Sequence, residues 1–402
     1  MTTPLKTDWL IVYIALGAGI IGAAHIGKMP PALPLVRSEL ELSMVTGGWV
    51  VSIFSATAVL IGLGVGGISD RVGPWRLVMV GLAAMAVGGI LGSFADSGWS
   101  LLATRFLEGL GFLAVVVSSP AIIAHAAEGS SRKTALGLWA TYFPVGMGLM
   151  MVVSPLFLNQ FGWRTFWLVL VGLCCLWLLV MAATRNRAPA ESVRAHAPKP
   201  ILENLKRTLP HPGPWIMAFC FFAYSLNWMA LMVWLPTFLI ESRQSTTTAA
   251  ALIGALVALT NAPGNFAAGW LLNRHVPHWA LVLVSFMVMA LTSIGIFSDA
   301  LSDGLRLALC LLFSALSGML PGTVLAAVPT IAPSTNQIGI INGMLVQGSH
   351  MGQIIGPPLL ALVITLTGSW QASLYVILGS AIIGCLLALG LKAIEGRMTD
   401  AP

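Results

Sequence analysis

Gly66-Gly67-Ile68-Ser69-Asp70-Arg71-Val72-Gly73-Pro74-Trp75-Arg76 sits between two long apolar runs. Glycines, an acid, a turn and two arginines are packed into this one short stretch. The glycines allow two helix ends to approach closely. Asp70 ends one helix, where its charge can meet the positive N-terminus of another. Arg71 and Arg76 hold the loop on the cytoplasmic side of a membrane. The stretch therefore reads as a tight polar loop joining two membrane-spanning helices.

Working outward, the 402-residue chain is 57% hydrophobic and 8% charged, with a mean hydropathy of +0.90. Soluble domains carry about 25% charge, so this is an integral membrane protein. A bilayer span needs about 20 mostly apolar residues. Twelve such segments are predicted, at 9–36, 44–69, 76–95, 99–126, 133–157, 163–184, 215–240, 247–272, 278–298, 304–331, 336–364 and 371–393. Loops take most of what remains, which leaves no room for a soluble catalytic domain. The first apolar run, from Trp9, continues too far for a cleavable signal and lacks a small-residue cleavage site. Cys174, Cys175, Cys220, Cys310 and Cys385 fall inside apolar spans and read as small packing residues, not as disulfides or metal ligands.

The formal charge of +6 follows from topology and not from nucleic-acid binding. With both termini cytoplasmic, fourteen basic residues lie inside and four (Arg37, Arg164, Arg243 and Arg306) lie outside. That is a positive-inside bias, as expected in a cell (inner or plasma) membrane. The remaining two of the twenty basic residues, Lys28 and Arg105, lie within spans.

The polar stretch 185–214, rich in proline and basic residues, divides the chain into halves at 1–184 and 214–402, with 185–213 as a cytoplasmic linker on an anionic leaflet. The halves repeat. Gly269 to Arg274 echoes Gly66 to Arg71 at an offset of 203. Leu33-Pro34 and Glu39 match Leu235-Pro236 and Glu241 at 202, as do Ser154-Pro155 with Gly356-Pro357 and Gly146 with Gly348. Two parallel six-helix repeats joined by a cytoplasmic loop follow.

The opening stretch resembles the G-x-x-x-D-R-x-G-x-x-R loop signature of the major facilitator superfamily. Arg105-Phe106-Leu107-Glu108-Gly109-Leu110-Gly111 resembles that family's R-x-x-x-G pattern in helix four, whose arginine is linked to proton coupling or substrate charge. The resemblance covers essentially the whole chain. It implies an all-α membrane fold of twelve transmembrane helices in two pseudo-symmetric six-helix bundles. It also implies a monomeric secondary active transporter without cofactor or metal, working by alternating access. Gly66, Asp70, Arg71 and Gly73 would form a conformational latch, with Asp70 near the N-terminus of helix eleven, around Ser334 to Asn336. The second-half echo has Asn273 in place of Asp70, so the latch should be stronger on the Asp70 side.

Physics singles out the same arginine. A charge in hydrocarbon costs at least about 2.5–3.5 kcal/mol on insertion scales, so it faces protein or water. Glu108 lies one turn from Arg105 and can neutralise it, or the two can simply pin helix four. Lys28 is the other intramembrane cation, with His25 on the same face and Pro30, Pro31 and Pro34 following. It either snorkels outward or, as the Leu33-Pro34 match suggests, sits at roughly the depth of Arg105. Glu108 is expected to offset one cation, Arg105, leaving Lys28 without a partner. His25 is a candidate proton carrier beside Glu108, or a hydrogen-bonded packing residue. A cavity holding these groups would be net positive.

The second half supplies uncharged polar groups. Tyr224, Asn227 and Trp228 share a stripe on helix seven. Asn261 and Asn265 flank Pro263 on helix eight. Gln347, His350 and Gln353 repeat along helix eleven. In lipid such groups need partners and should face the bundle interior, either to bind substrate or to join helices. Trp139, Tyr142 and Phe143 on helix five read as packing.

No P-loop, metal-spaced cluster or paired catalytic carboxylates support an enzyme. The expected function is transport of a small organic anion, coupled to protons or to a counter-anion. The alternative is proton-driven drug efflux with Glu108 as the proton carrier. A different-class alternative is a non-transporting receptor or membrane-embedded enzyme on the same scaffold. Trp234-Leu235-Pro236 faintly resembles the cyanate and nitroimidazole transporter branch.

Overall fold

The computed structural model describes residues 7–187, 206–332, 334 and 337–399; the side chains of 62–68, 70–71, 130, 133 and 397–399 lie outside that description. Among the described residues, twelve helical segments are long and apolar enough to cross a bilayer, and there is no strand. Each predicted bound lies within three residues of the observed one. With no water in the bilayer core, each segment must satisfy its backbone internally, which selects helices.

In the first half the helices are α1 (Trp9–Gly27), α2 (Met29–Glu39), α3 (Met44–Val72), α4 (Pro74–Ser93), α5 (Gly98–Ala126), α6 (Gly129–Trp139), α7 (Tyr142–Leu158) and α8 (Gly162–Ala183). In the second they are α9 (Pro212–Arg243), α10 (Thr247–Leu259), α11 (Asn261–Asn273), α12 (His278–Ile296), α13 (Asp303–Ser317), α14 (Met319–Ile331), α15 (Ile338–Thr367) and α16 (Ser373–Thr399). Four spans are therefore broken helices: α1–α2 at Lys28, α6–α7 at Ala140–Thr141, α10–α11 at Thr260 and α13–α14 at Gly318. A proline follows each break within three residues: Pro30, Pro144, Pro263 and Pro321. Proline removes a backbone donor and crowds the preceding turn, so the helix opens just upstream of it.

Contacts group the chain into two compact units. The first contains Met1–Leu42, Ile53–His196 and Thr247–Ala255; the second contains Ser43–Ser52, Ala197–Thr246 and Leu256–Pro402. Within the second, α9 and α15 pack face to face along a row of glycines. A Cβ placed at Gly348, Gly352 or Gly356 would come within 2.4, 2.3 and 2.5 Å of the carbonyl oxygens of Ala218, Phe222 and Leu226. Hydrogen at these positions is what permits backbone-to-backbone approach without a hydrophobic driving force.

The loop ends are tied by charge. In the first unit Glu39 accepts from Arg164 and, at 2.6 Å, from Trp163 Nε1. In the second unit Arg306, one of the four cations assigned to the outer side, is only 1% exposed. Its guanidinium donates to the carbonyls of Ile296 and Ser298 (2.8 and 2.5 Å) and to Asp303 Oδ1 (2.8 Å). A helix-end arginine is thus consumed in satisfying the loop between α12 and α13.

At the opening stretch the backbone has φ +92° at Gly73, and Pro74 starts α4. A left-handed residue followed by proline makes the turn tight. The side chains of Gly66, Asp70 and Arg71, and the Thr335–Asn336 part of the proposed latch partner, lie outside the described residues. So does most of the linker, 188–205.

Candidate functional site

The break between α1 and α2 sets up the site in the first unit. It places Lys28 at the junction, with His25 one turn earlier on α1. From α5, Arg105 and Glu108 project three residues apart onto the same region. All four side chains are fully buried. Glu108 is the common partner. Its Oε1 accepts from Lys28 Nζ at 2.8 Å. Its Oε2 meets His25 Nδ1 at 3.1 Å and Arg105 Nη1. Arg105 Nη1 also donates to the His25 carbonyl at 2.9 Å. With His25 Nδ1 donating to Glu108, its Nε2 is the acceptor for the Cys174 thiol on α8, 3.4 Å away. Trp167 lies 4.3 Å from Lys28 Nζ, and Phe54 lies 4.6 Å from Arg105 Cζ, ring faces toward the cations.

Close helix approach makes this cluster possible. A Cβ at Gly88 on α4 would meet Glu108 Cγ at 2.7 Å, and one at Gly109 would meet the Phe54 carbonyl at 2.3 Å. The expectation that Lys28 stands without a partner is overturned, because Glu108 bridges both cations. One carboxylate against two cations still leaves the cluster one positive charge in excess when His25 is neutral. Arg105 Nε and Nη2 find no hydrogen-bond partner among the described residues.

The second unit holds uncharged groups, sorted into two networks. Asn261 Nδ2 donates to Tyr224 OH and to the Ser314 carbonyl, both at 3.0 Å. Asn265 Nδ2 reaches Asn261 Oδ1 at 3.2 Å, and Trp228 Nε1 donates to Ser314 Oγ at 3.2 Å. Separately, Ser225 and Ser349 hydroxyls pair at 2.8 Å, and Gln353 Nε2 donates to Ser349 at 3.3 Å. Asn227 is fully buried, yet neither its amide nitrogen nor its oxygen has a partner among the described residues. His350 Nδ1 is likewise buried and unpaired. Gln347 is half-buried on α15.

The sequence profile of the Major Facilitator Superfamily matches residues 11–347. The chain belongs to that superfamily. Among its relatives is the multidrug efflux pump LfrA of Mycolicibacterium smegmatis, 31% identical but over only 35% of this chain and 28% of that protein. NiaP of Bacillus subtilis, named for niacin/nicotinamide transport, is 23% identical over 98% of this chain and 97% of its own. SauU of Cupriavidus necator, named for sulfoacetate transport, is 23% identical over 98% and 94% respectively. A solved bacterial homologue of the human lysosomal transporter Spinster matches the fold with a TM-score of 0.81 at 15% identity, covering 98% of each chain.

This facilitator therefore unites, in its first unit, the His25, Lys28, Arg105 and Glu108 that sequence reasoning selected singly. In the second it joins Tyr224, Trp228, Asn261 and Asn265, and separately gathers Gln353 with serines. Cys174 and Trp167 were missed as members of the charged cluster. Both stand in an apolar run on α8, where residue type alone reads as packing. The missing signal is register: α8 presents Trp167 and Cys174 two turns apart on one face.

Proposed function

We propose that this protein is a secondary active transporter of a small organic anion, with the halves 1–184 and 214–402 working by alternating access and both termini cytoplasmic. The observation that carries it is the buried excess of positive charge at Lys28 and Arg105 over Glu108. Intramembrane charge is expensive and usually marks a pathway. An anion arriving at this cluster restores neutrality, whereas a cation would add to the excess. Full-length relatives named for sulfoacetate and hexuronate transport point the same way.

Lys28 and Arg105 attract the anionic group in this scheme. His25 and Glu108 carry the coupled proton: protonating either one changes the charge balance that holds the anion. Asn227 and His350, with buried polar atoms unspent, are the second-unit candidates for substrate contact. Exporters of cationic drugs usually need a membrane acid open to the substrate. Glu108 is instead engaged by His25, Lys28 and Arg105 together, which favours the anion.

Proteoliposome flux tests the assignment. Lys28→Ala and Arg105→Ala should each abolish flux of an accepted anion while the purified variants remain folded and monodisperse. Retained anion flux in both variants, or transport confined to neutral and cationic compounds, would overturn it.

A further inference from the structure

The unspent edge of Arg105 and the rings beside it define the kind of anion. Of the guanidinium nitrogens, Nη1 is committed to Glu108 and the His25 carbonyl. Nε and Nη2 are the two left without a partner, in a side chain that is fully buried. Those two nitrogens form one edge of the planar guanidinium, with parallel N–H bonds spaced to grip both oxygens of a single carboxylate.

From the guanidinium a series of aromatic rings leads away through the first unit. Phe54 on α3 faces the guanidinium at 4.6 Å. Phe112 on α5 lies 5.1 Å from Phe54, centroid to centroid. Tyr142 on α7 follows at 6.5 Å from Phe112 and is stacked on Trp139 at 4.4 Å. Phe143 meets Tyr142 edge-on at 6.1 Å. Phe54 is 1% and Phe112 is 3% exposed, whereas Tyr142 and Phe143 are half-buried. The rings thus run from half-buried positions to the fully buried cation. Two α1 glycines make room for them: a Cβ at Gly19 would lie 2.5 Å from Trp139, and one at Gly22 would lie 2.9 Å from Phe112. The sequence expectation treated Trp139, Tyr142 and Phe143 as packing, and on their own they would be. Their continuity with an unpaired arginine edge is what a core cluster does not need.

Building on the organic-anion reading above, we infer that the preferred substrates are planar aromatic carboxylates. The carboxylate takes the Nε–Nη2 edge of Arg105, and the ring lies against Phe112 and Tyr142 after displacing Phe54 from the guanidinium. Offset or edge-on ring pairs contribute about 0.5–1.5 kcal/mol beyond area burial, which converts to roughly twofold to twelvefold in affinity.

The test uses the full chain, purified in detergent for ligand-induced thermal stabilisation and in proteoliposomes for counterflow. Three probes of similar size are compared: benzoate, cyclohexanecarboxylate and benzamide. Benzoate should bind about twofold to twelvefold more tightly than cyclohexanecarboxylate, and benzamide should not compete. Phe112→Leu should erase the preference for benzoate over cyclohexanecarboxylate. Arg105→Lys, which keeps the charge and loses the edge, should weaken both acids about tenfold or more. The wild-type probe series decides the matter even where a variant folds poorly. Equal binding of the two acids overturns the aromatic inference and leaves the anion reading standing. Equal binding of benzamide and benzoate overturns the anion reading, and this inference with it. No binding of benzoate in a protein that transports another anion overturns the inference alone.

Discussion

Replacing Glu108 by glutamine keeps the shape of the side chain and removes the charge that three neighbours share. In the wild type, Lys28 lies 2.8 Å from one carboxylate oxygen, while His25, at 3.1 Å, and Arg105 meet the other. All of these side chains are fully buried. Removing one partner of a buried ion pair costs about 3–5 kcal/mol, because the remaining charge is left uncompensated. Here two cations lose the same counter-charge, so Glu108→Gln should fall near the upper end of that range. Lys28→Met is the informative control. It leaves Arg105 and Glu108 as a neutral pair and fills the space with an apolar side chain of similar length. Its effect on stability should stay under about 1 kcal/mol, since trading a buried charge for packing is often neutral or stabilising. The double variant should recover part of the Glu108→Gln loss, because only one cation is then unpaired. Denaturant titration in mixed micelles reads all three. If Lys28→Met destabilises as much as Glu108→Gln, or Glu108→Gln is neutral, the shared-carboxylate account of the cluster is wrong.

Two further outcomes follow from other contacts. Gly352→Leu should separate α9 from α15, since even a Cβ would sit 2.3 Å from the Phe222 carbonyl; overpacking of this kind costs about 1–3 kcal/mol, and an unchanged denaturation midpoint would contradict the glycine-row packing. His25→Gln keeps a hydrogen-bonding side chain among Lys28, Arg105, Glu108 and Cys174 but removes a protonatable ring; anion flux should persist with an altered pH profile, and an unaltered profile would exclude His25 as the proton carrier.

The fold was legible because its determinants are local. Span length, charge asymmetry and the 202-residue repeat are each visible without knowing any contact. The prolines of the broken helices are visible in the sequence, but the first break falls upstream of Pro30 and Pro31, at Lys28, because proline acts on the turn before it. Candidate charges were legible from the cost of burying them. Their pairing was not, since whether Glu108 reaches one cation or two depends on the rotation of α5 against α1. The partners of Arg306 were not legible either: the carbonyls of Ile296, Ser298 and Leu301 and the Asp303 carboxylate hold its guanidinium. Asp70 and Arg71 remain where the sequence left them, as a proposed latch whose side chains are outside the described residues.

The repeat also shows what the two halves do differently. At the 202-residue offset His25 corresponds to Asn227, and Lys28 to Ala230. The same place on the first helix of each half therefore carries titratable groups in one and neutral groups in the other. In its own unit each position lies beside polar atoms that go unspent: the Arg105 edge in the first, the Asn227 amide itself in the second. An unsatisfied buried polar group costs about 1–3 kcal/mol, and more when charged. Packing alone would favour leucine at either site. Each half thus keeps at this place a buried polar group that packing alone does not explain. Asn227→Leu should then raise the stability of the empty protein and weaken the ligand, whereas a purely structural amide would lose stability on the same substitution.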